Sequence, residues 1–284
     1  MKALLPLLAG CIVVASVATV QASSVEGTIV DADTAAAIPY VQVGVPQRAN
    51  GTVANGEGRF SLALNDGDDQ LLFTAIGYQP KVLPVSLFPL DQPVALQPIT
   101  IQFEESVRVT APPAGEPETF GRSYPAKGYG MGFASGLLGS QLATVVRIDK
   151  PTFLESAHFT LTRPGGESFL YRVNLFAFNK GEIGENLLKK NVLVEGDQKR
   201  GVLSVDLREH ALIVDQDLLL SLEWVHDDRK AGNANVMFRA KPKVKGEAYF
   251  KPTSQTDFIK VPRHRLAFYL KGYPIPRDSL PTPN

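Results

Sequence analysis

Residues 25–78 read VEGTIVDADTAAAIPYVQVGVPQRANGTVANGEGRFSLALNDGDDQLLFTAIGY. In this stretch, runs rich in Val, Ile, Leu and Phe alternate with clusters of Gly, Asn, Asp and Pro; the runs are residues 27–30, 41–45, 59–64 and 71–76. Short apolar runs bounded by turn-forming residues are typical of β-strands joined by tight loops. Within the third run, Phe60, Leu62 and Leu64 alternate with polar or small residues, so one face of that strand is apolar. The stretch therefore predicts an antiparallel β domain, and it contains no reaction centre.

Four motifs follow one another within this stretch: G-x-(I/V)-x-D, I-P-Y-V-x-V, G-T-V-A-N-G-E-G-R-F and L-x-F-T-A-I-G-Y. The residues that carry them are Gly27, Val30, Asp31, Pro39, Tyr40, Val43, Gly51, Thr52, Asn55, Gly58, Phe60, Phe73, Ile76, Gly77 and Tyr78. In this order the motifs resemble the carboxypeptidase-regulatory-like family. The resemblance implies a small transthyretin-like β-sandwich, of a kind common in exported and outer-membrane proteins of Bacteroidetes-type bacteria. It also implies a domain that accompanies peptidases and transporters without being a peptidase itself.

The first 22 residues have the features of a secretory signal peptide. Lys2 precedes an apolar stretch at residues 3–20, and the sequence VQA at residues 20–22 forms a small-residue cleavage site. Cleavage between Ala22 and Ser23 leaves 262 of the 284 residues, enough for two domains of ordinary size. We therefore expect an exported protein, located in the periplasm, at the outer membrane or on the cell surface.

Cys11 offers an alternative processing site. The sequence LAGC at residues 8–11 also fits a lipoprotein cleavage box, which would leave a lipidated cysteine at the mature N-terminus. Residues 12–20 remain strongly apolar, however, whereas a lipoprotein normally continues into a polar tether. Ordinary cleavage is therefore preferred, and it leaves a mature protein with no cysteine. Membrane association is expected only if Cys11 is lipidated.

A second β-rich region extends from residue 129 to residue 273. Its predicted strands are residues 143–148, 157–162, 171–178, 202–205, 218–225, 236–239 and 266–271. The run at residues 218–225 is almost entirely apolar and predicts a central strand. Several strands at this spacing predict a C-terminal β-sandwich, with a jelly-roll topology as one option, in an all-β protein.

The composition also predicts where the domains begin and end. A carboxypeptidase-regulatory-like domain is expected over residues 23–110, after a signal peptide at residues 1–22. Residues 111–128 are rich in Pro and Gly, as linkers are, and separate it from the second domain at residues 129–273. Residues 274–284 contain four prolines and predict a short disordered tail.

Signatures of known enzyme classes are missing from the sequence. None of the four histidines, at positions 158, 210, 226 and 264, is followed by glutamate at either of the next two positions, so neither a zincin helix nor the zinc carboxypeptidase ligand pair is present. The G-x-S-x-G elbow, the phosphate loop and the dinucleotide fingerprint are also missing. We therefore expect no catalytic residue, no metal site and no cofactor.

The nearest approach to a reactive cluster is the sequence EWVHDD at residues 223–228. Glu223 and His226, near one strand end, could hold a metal or act as acid and base in a hydrolase with a non-standard site. The preferred interpretation is a polar turn after a buried strand, with Trp224 in the core. His158 is likewise interpreted as a hydrogen-bonded strand residue, and residues 65–69 (NDGDD) as a solvated hairpin tip without EF-hand spacing.

Charge is unevenly distributed along the chain. Residues 229–277 contain 12 basic and 2 acidic side chains, a balance of +10, whereas residues 23–128 contain 6 and 12, a balance of −6. Basic side chains at every second position of a strand share one face, and the basic stripe that this spacing predicts consists of Arg239, Lys241, Lys243 and Lys245. Such a stripe could bind an anionic partner: lipopolysaccharide phosphates, an acidic glycan or an acidic protein surface. Two simpler alternatives are preferred, protection of an edge strand together with Pro242, or a contact with the acidic first domain.

These observations predict a non-enzymatic, exported binding or scaffolding protein of the cell envelope. Its partner would be an envelope protein or glycan, and nucleic acid is not expected for an exported protein. One alternative is a carbohydrate-binding accessory module, which would need aromatic side chains exposed on one sheet face; the candidates are Trp224, Tyr249, Phe250 and Tyr269. The other alternative is the hydrolase with a site at Glu223 and His226.

Overall fold

The computed structural model describes residues 24–89, 91–99, 115–133, 138–163, 169–196, 200–227 and 236–276. Within these ranges the chain forms β-strands and two short 3-10 turns, Val85–Leu87 and Arg208–His210. This confirms the predicted all-β class. The predicted signal peptide with its cleavage site, Cys11 and most of the predicted tail lie outside the described residues. No helix in these ranges is long and apolar enough to cross a membrane.

The first domain is a sandwich of two small sheets. Its strands are β1 (Ser24–Asp31), β2 (Gln42–Gly44), β3 (Gly51–Val53), β4 (Arg59–Ala63), β5 (Gln70–Thr74), β6 (Lys81–Pro84) and β7 (Val94–Leu96). One sheet has the order β4-β1-β7 and the other β3-β2-β5-β6; the β1–β7 pair is parallel. Alternate side chains of both sheets, among them Ile29, Val43, Leu71 and Phe73, are fully buried in one shared core. The alternation read from the sequence therefore corresponds to the inner and outer faces of the strands.

The turn before β4 shows why its residue types are needed. The side-chain oxygen of Asn55 accepts hydrogen bonds from the backbone N–H groups of Glu57 at 3.0 Å and of Arg59 at 2.9 Å. Gly58 has a φ of +71°, which favours glycine, and a Cβ atom there would lie 2.7 Å from the carbonyl oxygen of Ile29. The turn therefore fixes where β4 begins and lets its backbone approach β1 closely.

The second domain contains thirteen strands in the described part of the chain. They are β8 (Glu118–Gly121), β9 (Gly130–Phe133), β10 (Gln141–Val146), β11 (Thr152–Arg163), β12 (Phe169–Asn179), β13 (Glu182–Asn186), β14 (Val192–Glu195), β15 (Gly201–Asp206), β16 (Ile213–Val214), β17 (Leu218–Asp227), β18 (Val236–Lys251), β19 (Ile259–Leu266) and β20 (Phe268–Pro274). β8 lies inside the segment that was predicted as a linker, because its backbone pairs with β20. The linker prediction is therefore wrong for residues 118–121, and Pro274 belongs to β20 and not to the tail.

The thirteen strands form two layers that share one long strand. In the first layer, which we call the β12 sheet, the strand order is β13-β12-β17-β10-β18, with β19 beside β18. In the second, β11 pairs with β15, β16, β20 and the beginning of β18. β18 joins the layers, because residues 236–239 pair with β9 whereas residues 248–251 pair with β10. Both layers line one core, in which Leu220, Leu222 and Trp224 of β17 are buried.

We expect Gly58→Ala to destabilise the first domain more than Gly77→Ala does. Both glycines have a positive φ, +71° and +87°, but a Cβ atom at position 77 would meet nothing within 4 Å. Gly77→Ala should cost about 1–2 kcal/mol of backbone strain, and the clash with Ile29 should raise the cost of Gly58→Ala to about 3 kcal/mol. Urea denaturation followed by circular dichroism measures both, and equal costs would contradict the close approach of β4 to β1.

Candidate functional site

A row of polar side chains crosses the outer face of the β12 sheet. Arg172, Glu223, Gln141 and Lys251 stand on four adjacent strands and are directly opposite one another in the strand register. Their strand neighbours in sequence point the other way, into the sandwich core. Arg172, Glu223 and Gln141 are nevertheless buried, which is unusual for charged side chains that do not face a core. Something other than the sandwich itself must cover this row.

Glu223 is at the centre of the row and is completely buried. Arg172 forms a two-pronged ion pair with it, Nη2 to Oε1 at 2.9 Å and Nε to Oε2 at 3.0 Å. Asn174 donates to Oε2 at 3.1 Å, and Gln42 of the first domain donates to Oε1 at 2.6 Å. Both carboxylate oxygens therefore accept two hydrogen bonds each, and the charge is neutralised by a fixed guanidinium.

The first domain covers this row and contributes to its hydrogen bonds. The carbonyl oxygen of Tyr40 accepts a hydrogen bond from Arg172 Nη1 at 3.0 Å, beside one from the same nitrogen to Asn191 Oδ1. Thr74 holds Gln42 in place, since its hydroxyl donates to Gln42 Oε1 at 2.9 Å. The contact between the two domains is therefore organised around the Arg172–Glu223 pair.

The loop between β18 and β19 makes a second contact with the first domain. The side-chain amide of Gln255 donates to the carbonyl oxygen of Leu72 at 3.2 Å. The backbone carbonyl oxygen of Gln255 accepts a hydrogen bond from the backbone N–H of Gln47 at 3.2 Å. A Cβ atom on Gly44 would lie 2.8 Å from Gln255 Cγ, so glycine is required for this close fit. Thr253 is also buried here. Two separate sets of hydrogen bonds thus fix the orientation of the first domain on the second.

The geometry does not support the hydrolase alternative. Within the described residues, the Glu223 carboxylate accepts its hydrogen bonds from Arg172, Asn174 and Gln42, and His226 is not among these donors. The buried Trp224 donates its indole N–H to the backbone carbonyl of His226 at 3.1 Å. This contact fits the preferred interpretation of the segment as a polar strand end with Trp224 in the core. A carboxylate with all its acceptor positions in use and no exposed surface cannot take a proton from a substrate.

The aromatic side chains needed for the carbohydrate-binding alternative are not on the surface. Trp224 is 1% exposed, Tyr249 4% and Tyr269 9%, and Phe250 packs against the main core. Tyr269 stacks on His158 with ring centroids 4.6 Å apart. No flat aromatic platform for a sugar ring is therefore available from these four residues.

The other polar candidates are also occupied by internal contacts. His158 lies between Ser156 and Ser204, with ring nitrogens 2.9 Å and 2.8 Å from their hydroxyl oxygens. In the NDGDD segment, Asp68 accepts hydrogen bonds from the side chains of Arg48 and Asn50. No group of three or more His, Cys, Asp or Glu in the described ranges is arranged to hold a metal ion. These side chains stabilise the fold.

The basic stripe divides into two parts. Arg239 is half-buried and donates to the backbone carbonyls of Pro125 and Tyr129, at 3.2 Å and 2.9 Å. Lys241 lies over the same Tyr124 ring as Arg239, so these two residues share a face, as predicted. Lys243 has a φ of +59°, however, and the regular alternation is interrupted there. Arg239 therefore has a structural role, and only the three lysines are exposed.

The interruption is a wide bulge that brings in two arginines of β19. The regular pairing of β18 with β19 runs through Pro242 with His264 and resumes only at Glu247 with Pro262. Residues 243–246 of β18 therefore lie opposite a single β19 residue, Arg263. Arg265 lies over Gly246 and donates to the carbonyl of Lys245. We call this surface the basic ridge; it consists of Lys241, Lys243, Lys245, Arg263 and Arg265. The sequence signal for the two arginines was the PRHR segment, but its pairing with β18 could not be read from spacing.

We expect Glu223→Gln to destabilise the protein far more than Asp206→Asn. Both changes neutralise a carboxylate paired with arginine, but the Arg172–Glu223 pair is buried whereas the side chains of Arg208 and Asp206 are 54% and 55% exposed. An unpaired buried arginine costs about 3–5 kcal/mol, and an exposed pair is worth about 0–1 kcal/mol. Fluorescence of the single tryptophan, Trp224, reports urea unfolding next to the site. Similar losses in both variants would contradict the role given to the buried pair.

Stability should fall as the pH is lowered below neutrality, in part through His158. Burial lowers the pKa of His158, the charge of Lys271 lowers it further, and Glu155 acts in the opposite direction. The unfolded chain then binds more protons than the folded chain once the pH falls below about 6.5, so the free energy of unfolding decreases until the folded pKa is passed. His158→Gln should reduce this slope in urea titrations between pH 7 and pH 5, and an unchanged slope would contradict it.

Comparison with known proteins supports the family predicted for the first domain. Residues 25–107 match the family described as the CarboxypepD_reg-like domain. No curated protein gives a significant match to the chain. Among solved structures, the chain is similar, at 11% identity and a TM-score of 0.20, to a chain in "Crystal structure of the T13 IBDV viral particle reveals a missing link in icosahedral viruses evolution". That alignment covers 84% of this chain and 58% of the other. The first domain is thus a carboxypeptidase-regulatory-like domain, as its motifs predicted, and domains of this kind are non-catalytic immunoglobulin-like modules.

Proposed function

We propose that the protein is a non-enzymatic, exported binding and scaffolding protein of the cell envelope, and that the basic ridge binds an anionic envelope glycan. The ridge is the observation that carries the proposal. Its three lysines and Arg263 are exposed, and Arg265 is half-buried beside them. Neither segment of the ridge, residues 241–246 or residues 262–265, contains an acidic residue. Like charges held together without counterions create a positive potential that attracts polyanions.

The contacts of the first domain weaken one of the two simpler interpretations of the lysines. Lys241 and Pro242 pair with β19 on one side only, and no described strand pairs with their other side, so protection of this edge is compatible with ligand binding. The alternative contact with the acidic first domain is made instead by Arg172 and by the loop around Gln255. Among the described residues, no ion pair joins the ridge to the first domain. The ridge charges therefore remain available to an external partner.

The first domain supports the scaffolding part of the proposal. It is a non-catalytic module, and the Arg172–Glu223 pair and Gln255 hold it in one orientation. A domain fixed by buried polar contacts keeps a defined distance and direction from the ridge. Such a rigid arrangement suits a protein that positions one envelope component relative to another.

Charge reversal of Lys241, Lys243 and Lys245 to Glu should abolish retention of the full chain on immobilised phosphorylated lipopolysaccharide at low salt. Retention of the unchanged protein should weaken as salt is added, because salt screens exposed charges. The matched control reverses Lys180, Lys189 and Lys190, which are also exposed but lie around β13. Undiminished retention of the ridge variant would overturn the proposal, and so would an equal loss in the control.

A further inference from the structure

A cavity of about 200 Å³ lies beside the ridge, between the segment before β9 and the ends of β11 and β18. Three basic side chains, Lys127, Arg163 and Arg200, line it together with Gly128, Thr162 and Met237. Tyr124 connects the cavity wall to the ridge, since its ring lies under both Arg239 and Lys241. None of these basic residues belongs to the stripe read from the sequence.

Arg200 is held so that the outer end of its guanidinium is available. Its Nε atom donates to the carbonyl oxygen of Thr162 at 2.9 Å, and the terminal nitrogens make no hydrogen bond to any described residue. Thr162 lines the cavity and is 7% exposed, and its hydroxyl donates to the carbonyl of Met237. The side chains of Arg163 and Lys127 are exposed and make no hydrogen bond or ion pair within the described ranges. Three cationic side chains thus line one cavity and have N–H donors that no described residue uses.

The wall that carries Lys127 is fixed by Arg239. This arginine donates to the carbonyls on both sides of Lys127, those of Pro125 and Tyr129. Gly128 has a φ of +106°, and a Cβ atom there would lie 3.4 Å from the guanidinium carbon of Arg239. Glycine therefore lets the backbone pass directly over the arginine. The wall is a built part of the fold and not a loose surface loop.

We propose that this cavity binds one compact tetrahedral oxyanion, a phosphate or sulfate, through Lys127, Arg163 and Arg200. Guanidinium forks pair with tetrahedral oxyanions in two-pronged geometry, and the lysine adds a point charge. In the protein's own setting, the group would be an ester carried by the glycan that binds along the ridge, and only this biological source rests on the proposed function. Binding of the anion itself does not require the ridge.

Isothermal titration of the full chain with inorganic phosphate and with sulfate, at constant ionic strength set by chloride, tests the cavity. We expect saturable binding that Lys127→Gln with Arg163→Gln weakens about tenfold or more. The control pair, Arg59→Gln with Lys180→Gln, removes the same charge from the first domain and from the far end of β12, and should bind like the unchanged protein. Absence of saturable binding overturns the proposal, and equal binding by the cavity variant does so too.

Two further experiments identify the source of the anion and distinguish this proposal from the proposed function. Glucose 6-phosphate should displace inorganic phosphate; failure to do so would overturn the ester source while retaining a site for the free anion. The triple variant of Lys241, Lys243 and Lys245 should lose lipopolysaccharide retention yet keep phosphate binding. Loss of phosphate binding in that variant would contradict a separate site. Unchanged lipopolysaccharide retention would contradict the proposed function alone.

Discussion

The arrangement of the two domains depends on one buried ion pair, Arg172 with Glu223. Removing these charges from water is unfavourable unless their hydrogen-bonding positions are all filled. Asn174 and Asn191 of the second domain fill some of them, but the last ones are filled by Gln42 and the carbonyl of Tyr40 from the first domain. The pair therefore favours one specific orientation of the two domains. An apolar contact of the same area would tolerate sliding, because it has no directional requirement.

β18 connects this interface to the proposed binding surfaces. One end of the strand, with Phe238, is in the sandwich core, and its other end leads into the loop that carries Gln255 to the first domain. The basic ridge lies between them, and Arg239 fixes the cavity wall below it. A strand held at both ends by buried contacts has little freedom to shift. The ridge and the cavity are thus held at fixed positions relative to the first domain.

The sequence was most informative where structure is set by near neighbours along the chain. Alternation at Phe60, Leu62 and Leu64 predicted a strand with one apolar face, and the apolar run at residues 218–225 predicted a central strand. Long-range pairing could not be read in this way. Gln42 is 181 residues from Glu223, and neither has a spacing that points to the other. The bulge at Lys243 and the pairing of β8 with β20 likewise depend on partners far along the chain.

Long-range contacts also explain why Glu223, a catalytic candidate in the sequence, is a structural residue in the fold. A carboxylate acts as a general base only if it can reach a substrate and release a proton again. Each hydrogen bond that fixes Glu223 removes one of these possibilities, and full burial removes the remaining access. The charges of the ridge and of the cavity have a different environment, since most of them are exposed and none forms an ion pair within the described residues. In this protein the buried charges orient the domains, whereas the exposed charges are the ones available to bind.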